Sequence, residues 1–182
     1  MSRLEIPATI AEAPAASAHL LRAVEGQLGS VPNLYRLVAK SPPVLEGWQQ
    51  LAGALNAGVL TPSTRTRIAI AVAEVNGCSY CLSAHTFIGK NLQKLSGAEL
   101  EANRDGASAD PKANAAVRFA AKVARERGHV SAADLEQVQQ AGFDDAAVIE
   151  IVMHVALNSF TNYLNEAVKT DVDFPVLVPG QR

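Results

Sequence analysis

This 182-residue sequence has few cysteines, no excess of charge of one sign and no long apolar run. It holds only two cysteines, too few for the disulfide framework of a small secreted domain. Charges are nearly balanced, with 16 Lys and Arg against 18 Asp and Glu, and no basic run occurs. This balance gives no electrostatic reason to expect nucleic acid or an anionic membrane as a partner. The apolar run nearest the centre, residues 68–73, is far shorter than a bilayer span.

The N-terminal segment also lacks the apolar stretch of an export signal, because Glu5 and Pro7 interrupt it. Hydrophobic residues make up 48% of the chain and charged residues 19%, which excludes a disordered polypeptide. The sequence therefore predicts a globular protein of the cytoplasm with a substantial core.

Local signals are almost entirely helical, since Ala, Leu, Glu, Gln and Lys dominate and strand-like alternation is rare. We predict an all-α helical bundle of roughly eight or nine helices. It forms a single domain over 1–182, with helices 13–57 as an N-terminal extension and 62–94 carrying the cysteines. The predicted helices lie near 13–28, 32–40, 42–57, 62–76, 79–94, 97–105, 111–127, 132–141 and 145–169.

Capping patterns mark the helix starts. Ser41, Thr61 and Asp110 each precede a proline, which predicts a side-chain N-cap followed by proline at the first helical position. Ser96 and Glu99 have the spacing of a capping box. These signals predict helices that begin at 42, 62, 97 and 111.

The informative segment is AVAEVNGCSYCLSAH at residues 71–85. On one unbroken helix, Glu74, Cys78, Cys81 and His85 would form a single stripe at i, i+4, i+7 and i+11. Gly77 favours a break instead, with Cys78 as the N-cap of the next helix and Cys81 in its first turn.

That break would favour thiol reactivity. Unpaired N–H groups at a helix N-terminus stabilise an anion and lower the pKa of a thiol. His85, one turn after Cys81, could accept or return its proton. Glu74 would end the preceding helix, where a carboxylate either pairs with a cation such as Arg67 or holds a proton.

Three other interpretations of the cysteines are considered, and two of them stay open. Two thiolates and an imidazole could bind zinc, with Glu74 or another histidine as the fourth ligand, although no second ligand pair is present. The chain could also be a non-catalytic redox sensor that signals through its oligomeric state. A buried pair without any chemistry is the third reading, and the spacing disfavours it.

The cysteine-containing segment at residues 71–85 resembles the core of AhpD-like alkylhydroperoxidases in the carboxymuconolactone decarboxylase superfamily. SVPNLYRLVAKSP at 30–42 and EIVMHVALNSFTNYLNEA at 150–167 resemble the flanking helices of its peroxidase-related branch. The resemblance implies an all-helical fold that assembles into trimers or hexamers. A carboxymuconolactone decarboxylase activity is a further alternative, but that reaction has no evident need for paired cysteines.

The resemblance also implies a thiol peroxidase cycle that reduces organic hydroperoxides or hydrogen peroxide. Cys81 would attack the hydroperoxide, Cys78 would resolve the sulfenic acid as a disulfide, and His85 would relay protons. A thiol reductant or adaptor protein would restore the dithiol, and no metal or organic cofactor would be required.

The sequence departs from the family pattern at two positions. Relatives commonly carry a relay glutamate twelve residues before the first cysteine, where this chain has Thr66. Glu74 could replace that carboxylate. Tyr80 stands between the cysteines where some relatives have histidine, and a phenol is a poor base at neutral pH.

One further polar line runs along the last helix. His154, Asn158 and Asn162 recur at i, i+4 and i+8 in an otherwise apolar segment. They could face the cysteines, but a hydrogen-bonded buried seam or an oligomer contact is the favoured interpretation.

Overall fold

A computed structural model describes residues 1–181, and this range is all-α as predicted. A short 3₁₀ turn, Ala15–Ser17, stands at the predicted start of the first helix, and another, Ile10–Glu12, precedes it. The Ser17 hydroxyl donates to the buried carbonyl of Ala39, 2.7 Å away. Within the described range the helices are α1 (Ala18–Leu28), α2 (Asn33–Val38), α3 (Pro42–Asn56), α4 (Pro62–Val75), α5 (Ser79–Asn91), α6 (Gly97–Arg104), α7 (Pro111–Arg125), α8 (Ala132–Gln140) and α9 (Asp145–Val168).

Most predicted caps are present, and one is not. The side chains of Thr61 and Asp110 accept the N–H of the third residue after them, as expected of N-caps. Ser41 makes no side-chain cap, so that prediction is wrong. Pro42–Pro43 have no N–H to donate, and the first free N–H, from Val44, donates to the Ser41 carbonyl.

The predicted capping box at Ser96 is only half formed. Ser96 accepts the N–H of Glu99 at 3.1 Å, but the Glu99 carboxylate turns away to Arg67, 2.6 Å distant, and to Ser108 and the N–H of Ala109. Burial raises the pKa of Glu99, but these hydrogen bonds outweigh it and lower that pKa to about 2. Glu99 therefore ties α4, α6 and the approach to α7 together.

Helix α4 is the centre of the bundle and contacts α5, α6, α7 and α9. Its residues 68–73 are all buried, so it lacks the polar stripe of a surface helix. The small side chains of Ala69, Ala71 and Ala73 allow this close approach on several sides. None of the helices in residues 1–181 is long and apolar enough to cross a membrane.

The two ends of the chain pack around the cysteine region. Leu34, Val38 and Leu45 of the N-terminal helices lie in the same apolar cluster as both cysteines. The C-terminal arm, residues 170–181, crosses α5, where the Tyr80 hydroxyl donates a hydrogen bond to the Asp173 carboxylate at 2.6 Å, and α6, where Arg104 donates to the carbonyls of Val178 and Gln181. The arm is irregular, but specific contacts fix its course.

Candidate functional site

The two cysteines lie at the junction of α4 and α5. Gly77 has φ of +70°, a left-handed conformation that favours glycine, and it ends α4 so that Cys78 becomes the N-cap of α5. The Cys78 Sγ accepts the N–H of Cys81 at 3.3 Å. Both predictions, Cys78 at the cap and Cys81 in the first turn, are confirmed.

Helix α9 supplies the polar surroundings of Cys81. The Asn165 Nδ2 donates to the Cys81 Sγ at 3.2 Å, and the Thr161 Oγ1 lies 3.9 Å from the same sulfur. Asn162 bonds the turn before the cysteines, since its Oδ1 accepts from Asn76 Nδ2 at 2.8 Å. These contacts hold α9 against the Cys-x-x-Cys turn.

The surroundings of the two thiols shift their pKa values in opposite directions. The pKa of Cys81 is lowered, first by the hydrogen bond from Cys78, against the opposing effect of burial, and then by Asn165 and Asn162 and Thr161. The pKa of Cys78 is raised by the same hydrogen bond, by its burial and by the charge of Cys81. Cys81 is therefore the thiol that ionises, while Cys78 keeps its proton.

His85 lies one turn after Cys81 on α5, at the spacing that the sequence predicts. Its side chain is partly buried, and this burial lowers the pKa of the imidazole to about 4. At neutral pH the ring is uncharged, and one of its nitrogens can accept a proton.

Glu74 does not contact either cysteine through its hydrogen bonds. Its Oε2 accepts from Arg104 Nε at 2.8 Å, and its Oε1 accepts from the N–H of Gly180 at 2.7 Å. Arg67, the cation suggested by the sequence, pairs with Glu99 instead. The geometry favours an anchoring role for Glu74, and its part in a proton relay stays a prediction without a supporting contact.

The polar line on α9 divides into two parts. Asn158 is hydrogen bonded locally, to the carbonyl of His154 at 2.7 Å, as expected of a buried seam. The His154 Nε2 is buried and has no hydrogen-bond partner among residues 1–181. Asn162 faces the cysteine turn, where it bonds to Asn76, and a functional role for this residue stays a prediction.

Sequence reasoning missed Asn165 and Thr161. Polar residues at 158, 161, 162 and 165 have the i, i+3, i+4, i+7 spacing of a single helical stripe. That stripe was the available signal, because a polar face within an apolar helix indicates buried polar contacts. Thr66, at the position of the family glutamate, is buried and donates to the carbonyl of Pro62.

The zinc alternative gains no support from the geometry. Within the described range, no group of three or more His, Cys, Asp or Glu side chains is arranged to hold a metal ion. A structural zinc site normally needs four such ligands.

The family model for the carboxymuconolactone decarboxylase family matches residues 42–126, a range that holds the cysteines. A peroxidase-related protein with an alkylhydroperoxidase AhpD core, from Ralstonia eutropha, is 27% identical with a TM-score of 0.84, over 94% of this chain and 92% of the other. The chain is similar to AhpD-like proteins of the carboxymuconolactone decarboxylase superfamily.

Other solved structures share the fold of this AhpD-like protein. A peroxidase-related protein from a Silicibacter species is 26% identical with a TM-score of 0.77, covering 93% of this chain and 91% of that one. The debrominase Bmp8, in complex with 2,3,4-tribromopyrrole, is 21% identical with a TM-score of 0.79, covering 95% and 93%. A comparison with curated protein sequences finds no match.

The contact between Asn165 and Cys81 makes a testable prediction. We expect Asn165→Leu to raise the pKa of Cys81 by about one unit, because a hydrogen bond to a charged group contributes roughly 1.5–3 kcal/mol. Alkylation of Cys81 by iodoacetamide near neutral pH should then slow by up to about tenfold, as measured by peptide mass mapping over time.

Asn158→Leu is the matched control, because Asn158 is a buried asparagine of the same helix whose amide bonds to backbone. Equal effects of the two substitutions would mean that the change acts through α9 packing rather than through the sulfur.

Proposed function

We propose that this AhpD-like protein is a thiol-dependent peroxidase that reduces organic hydroperoxides or hydrogen peroxide. The observation that carries the proposal is the asymmetry of the dithiol: Cys81 is surrounded by groups that favour a thiolate, while Cys78 stays protonated beside it. A two-step peroxidase needs one nucleophilic and one resolving thiol.

In the first step, the Cys81 thiolate attacks the terminal oxygen of the hydroperoxide. A sulfur–oxygen bond forms, the oxygen–oxygen bond breaks, and an alkoxide leaves. His85 takes the Cys81 proton beforehand and returns it to the alkoxide. Burial lowers the pKa of His85 to about 4, so its imidazolium would return the proton to the alkoxide readily, whereas the neutral ring is only a weak base for the Cys81 thiol.

In the second step, the Cys78 thiol attacks the sulfenic acid of Cys81 and water leaves. The resulting Cys78–Cys81 disulfide must be reduced by an external dithiol, either a small thiol reductant or an adaptor protein. Both sulfurs are nearly inaccessible, with Cys81 3% exposed, which favours a small hydroperoxide over a bulky one.

We also expect a homo-oligomer, a trimer or hexamer. An apolar groove of about 350 Å³ between α3 and α9 supports this proposal. Exposed side chains of Val44, Leu51 and Phe160 line it, and a second copy of the chain would cover them. Light scattering would measure the mass of the wild-type protein in solution and so test the expected trimer or hexamer directly.

The decisive experiment follows the free thiols of reduced protein after one equivalent of hydrogen peroxide, a small substrate that suits the buried sulfurs. We expect both thiols to disappear within seconds to minutes, with loss of two hydrogens in the intact mass. Thiols that survive for hours would contradict the proposal and would favour a non-catalytic redox-sensing module instead.

A brominated pyrrole belongs beside the peroxide as a comparison substrate, because the fold is shared with a debrominase. Reductive removal of bromine from carbon would consume the same two thiols. If the thiols were lost with the brominated pyrrole but not with the hydroperoxide, a debrominase would be the better assignment than a peroxidase.

A further inference from the structure

Within residues 1–181, two buried polar atoms beside the proposed nucleophile have no hydrogen-bond partner. They are the Oδ1 acceptor of Asn165 and the Nδ2 donor of Asn162, on side chains that belong to residues 1% and 0% exposed. Buried side-chain amides are normally hydrogen bonded through both of their polar atoms. A free acceptor and a free donor on one face of α9 therefore indicate a place where a small polar group binds.

The Asn165 amide is held against the sulfur of Cys81. Its Nδ2 donates to the Cys81 Sγ at 3.2 Å, and this contact assigns the nitrogen and the oxygen of the amide. The two polar atoms of an amide are about 2.2 Å apart, so Oδ1 lies within about 5.5 Å of the sulfur. An O–H···O hydrogen bond spans about 2.7 Å, so Oδ1 is within reach of a hydroxyl whose oxygen is bonded to that sulfur.

The Asn162 amide lies on the same side of α9, three residues earlier. Its Oδ1 accepts from Asn76 Nδ2 at 2.8 Å, in the turn before the cysteines, which leaves Nδ2 as its free end. Its neighbours Thr161 and Asn165 both contact the Cys81 sulfur, and the Asn162 amide itself helps to lower the pKa of that thiol. The Thr161 hydroxyl donates to a backbone carbonyl, so Asn162 Nδ2, and not that hydroxyl, is the free donor.

We propose that Asn165 Oδ1 and Asn162 Nδ2 bind the terminal hydroxyl of a hydroperoxide, the group whose oxygen is transferred to Cys81. A hydroxyl has one hydrogen to donate and lone pairs that accept, which matches one free acceptor and one free donor. This subsite rests on the proposed thiol cycle and adds two substrate-binding residues to it. Asn165 then has two roles, because its Nδ2 stabilises the thiolate while its Oδ1 orients the oxygen that the thiolate attacks.

The subsite holds the same oxygen before and after the transfer. The Cys81 thiolate is oxidised as the sulfur–oxygen bond forms, and the hydroperoxide is reduced as its oxygen–oxygen bond breaks and the alkoxide leaves with the electron pair. The imidazolium of His85 protonates the alkoxide. The terminal hydrogen stays on its oxygen, bonded to Asn165 Oδ1, so the product is the neutral sulfenic acid. When Cys78 attacks, this oxygen leaves with the Cys78 proton as water.

The test compares two reagents that need the same thiolate but differ in their need for the subsite. In a Cys78→Ser parent, Cys81 is the remaining cysteine of the sequence, and it is alkylated by iodoacetamide or oxidised by hydrogen peroxide. Both rate constants are extrapolated from pH profiles to fully ionised Cys81, which removes any change in its pKa. We expect Asn162→Leu and Asn165→Leu to slow sulfenic acid formation, trapped by dimedone, at least about tenfold, but alkylation by less than about threefold.

Asn158→Leu in the same parent is the matched control. Asn158 is a buried asparagine of α9 whose amide donates to the backbone carbonyl of His154, so both rates should equal those of the parent. Equal slowing of both reagents by Asn162→Leu and Asn165→Leu would mean that these residues act through the packing of α9. That result would overturn the subsite.

A crystal structure of the Cys78→Ser parent after hydrogen peroxide treatment gives a second readout. The sulfenic oxygen on Cys81 should lie at a hydrogen-bond distance, about 2.7–3.2 Å, from both Asn165 Oδ1 and Asn162 Nδ2. A sulfenic oxygen that points away from both amides would overturn the subsite, and so would Leu variants that react with peroxide at the parent rate. In both cases the thiol cycle itself would stand.

Failure of the cycle gives a different result. A Cys78→Ser parent that is alkylated by iodoacetamide but forms no sulfenic acid with hydrogen peroxide would overturn the peroxidase proposal, and the hydroperoxide subsite with it.

Discussion

Cys81→Ser is expected to lose hydroperoxide reduction by at least about 10³-fold, on the scale of losses that follow removal of a catalytic nucleophile. A serine hydroxyl is not ionised at neutral pH, so Asn165 and Thr161 would have no thiolate to stabilise. The measurement is the rate of hydroperoxide consumption with dithiothreitol as the reductant.

Cys78→Ser is the matched variant, because it removes the other sulfur of the same turn. We expect it to form one equivalent of sulfenic acid at Cys81, trapped by dimedone, and no intramolecular disulfide. It also loses the thiol that contributes most to the low pKa of Cys81, so this single turnover should be slower than in the wild type.

The opposite result would reverse the polarity of the cycle. If Cys81→Ser formed a trappable sulfenic acid and Cys78→Ser did not, Cys78 would be the peroxide-reacting residue.

Features with local causes were predictable from the sequence. The break at Gly77 and the N-cap position of Cys78 depend on a few neighbouring residues, and both were predicted correctly. Thr61 and Asp110 cap as predicted for the same reason. The failure at Ser41 is also local, since Pro42 and Pro43 have no N–H and the N–H of Val44 donates to the Ser41 carbonyl rather than to its side chain.

Features that depend on packing between distant segments were not predictable. Asn165 lies 84 residues after Cys81, and no local pattern indicates which buried asparagine of α9 contacts the sulfur. The sequence suggested Arg67 as the partner of Glu74, whereas the actual partner, Arg104, reaches it only when α4 and α6 pack together. The course of the C-terminal arm has the same origin.

The contact between Arg104 and Glu74 carries the second large expected effect. The Arg104 side chain is 3% exposed and the Glu74 side chain 14%, and Arg104 also donates to the carbonyls of Val178 and Gln181. Arg104→Met leaves the Glu74 charge buried without its partner. We expect a loss of about 3–5 kcal/mol in the free energy of unfolding, measured by urea denaturation.

Hydrogen exchange should report the same change locally. Without Arg104, the arm loses its two carbonyl contacts, and amides of residues 176–181 should exchange faster than in the wild type. Lys122→Met is the control, because it removes a more exposed ion pair with Asp134 and should cost no more than about 1 kcal/mol.

Adding Glu74→Gln to Arg104→Met decides the role of Glu74. If Glu74 only anchors the arm, the double variant regains part of the lost stability, because the unpaired charge is gone. Single Glu74→Gln should then destabilise the fold while sulfenic acid forms at Cys81 at the wild-type rate.

If instead Glu74→Gln keeps its stability and slows sulfenic acid formation tenfold or more, Glu74 is the relay carboxylate. Its contact with Arg104 would then orient a catalytic group, and the first proton transfer would run along α4 rather than through His85 alone.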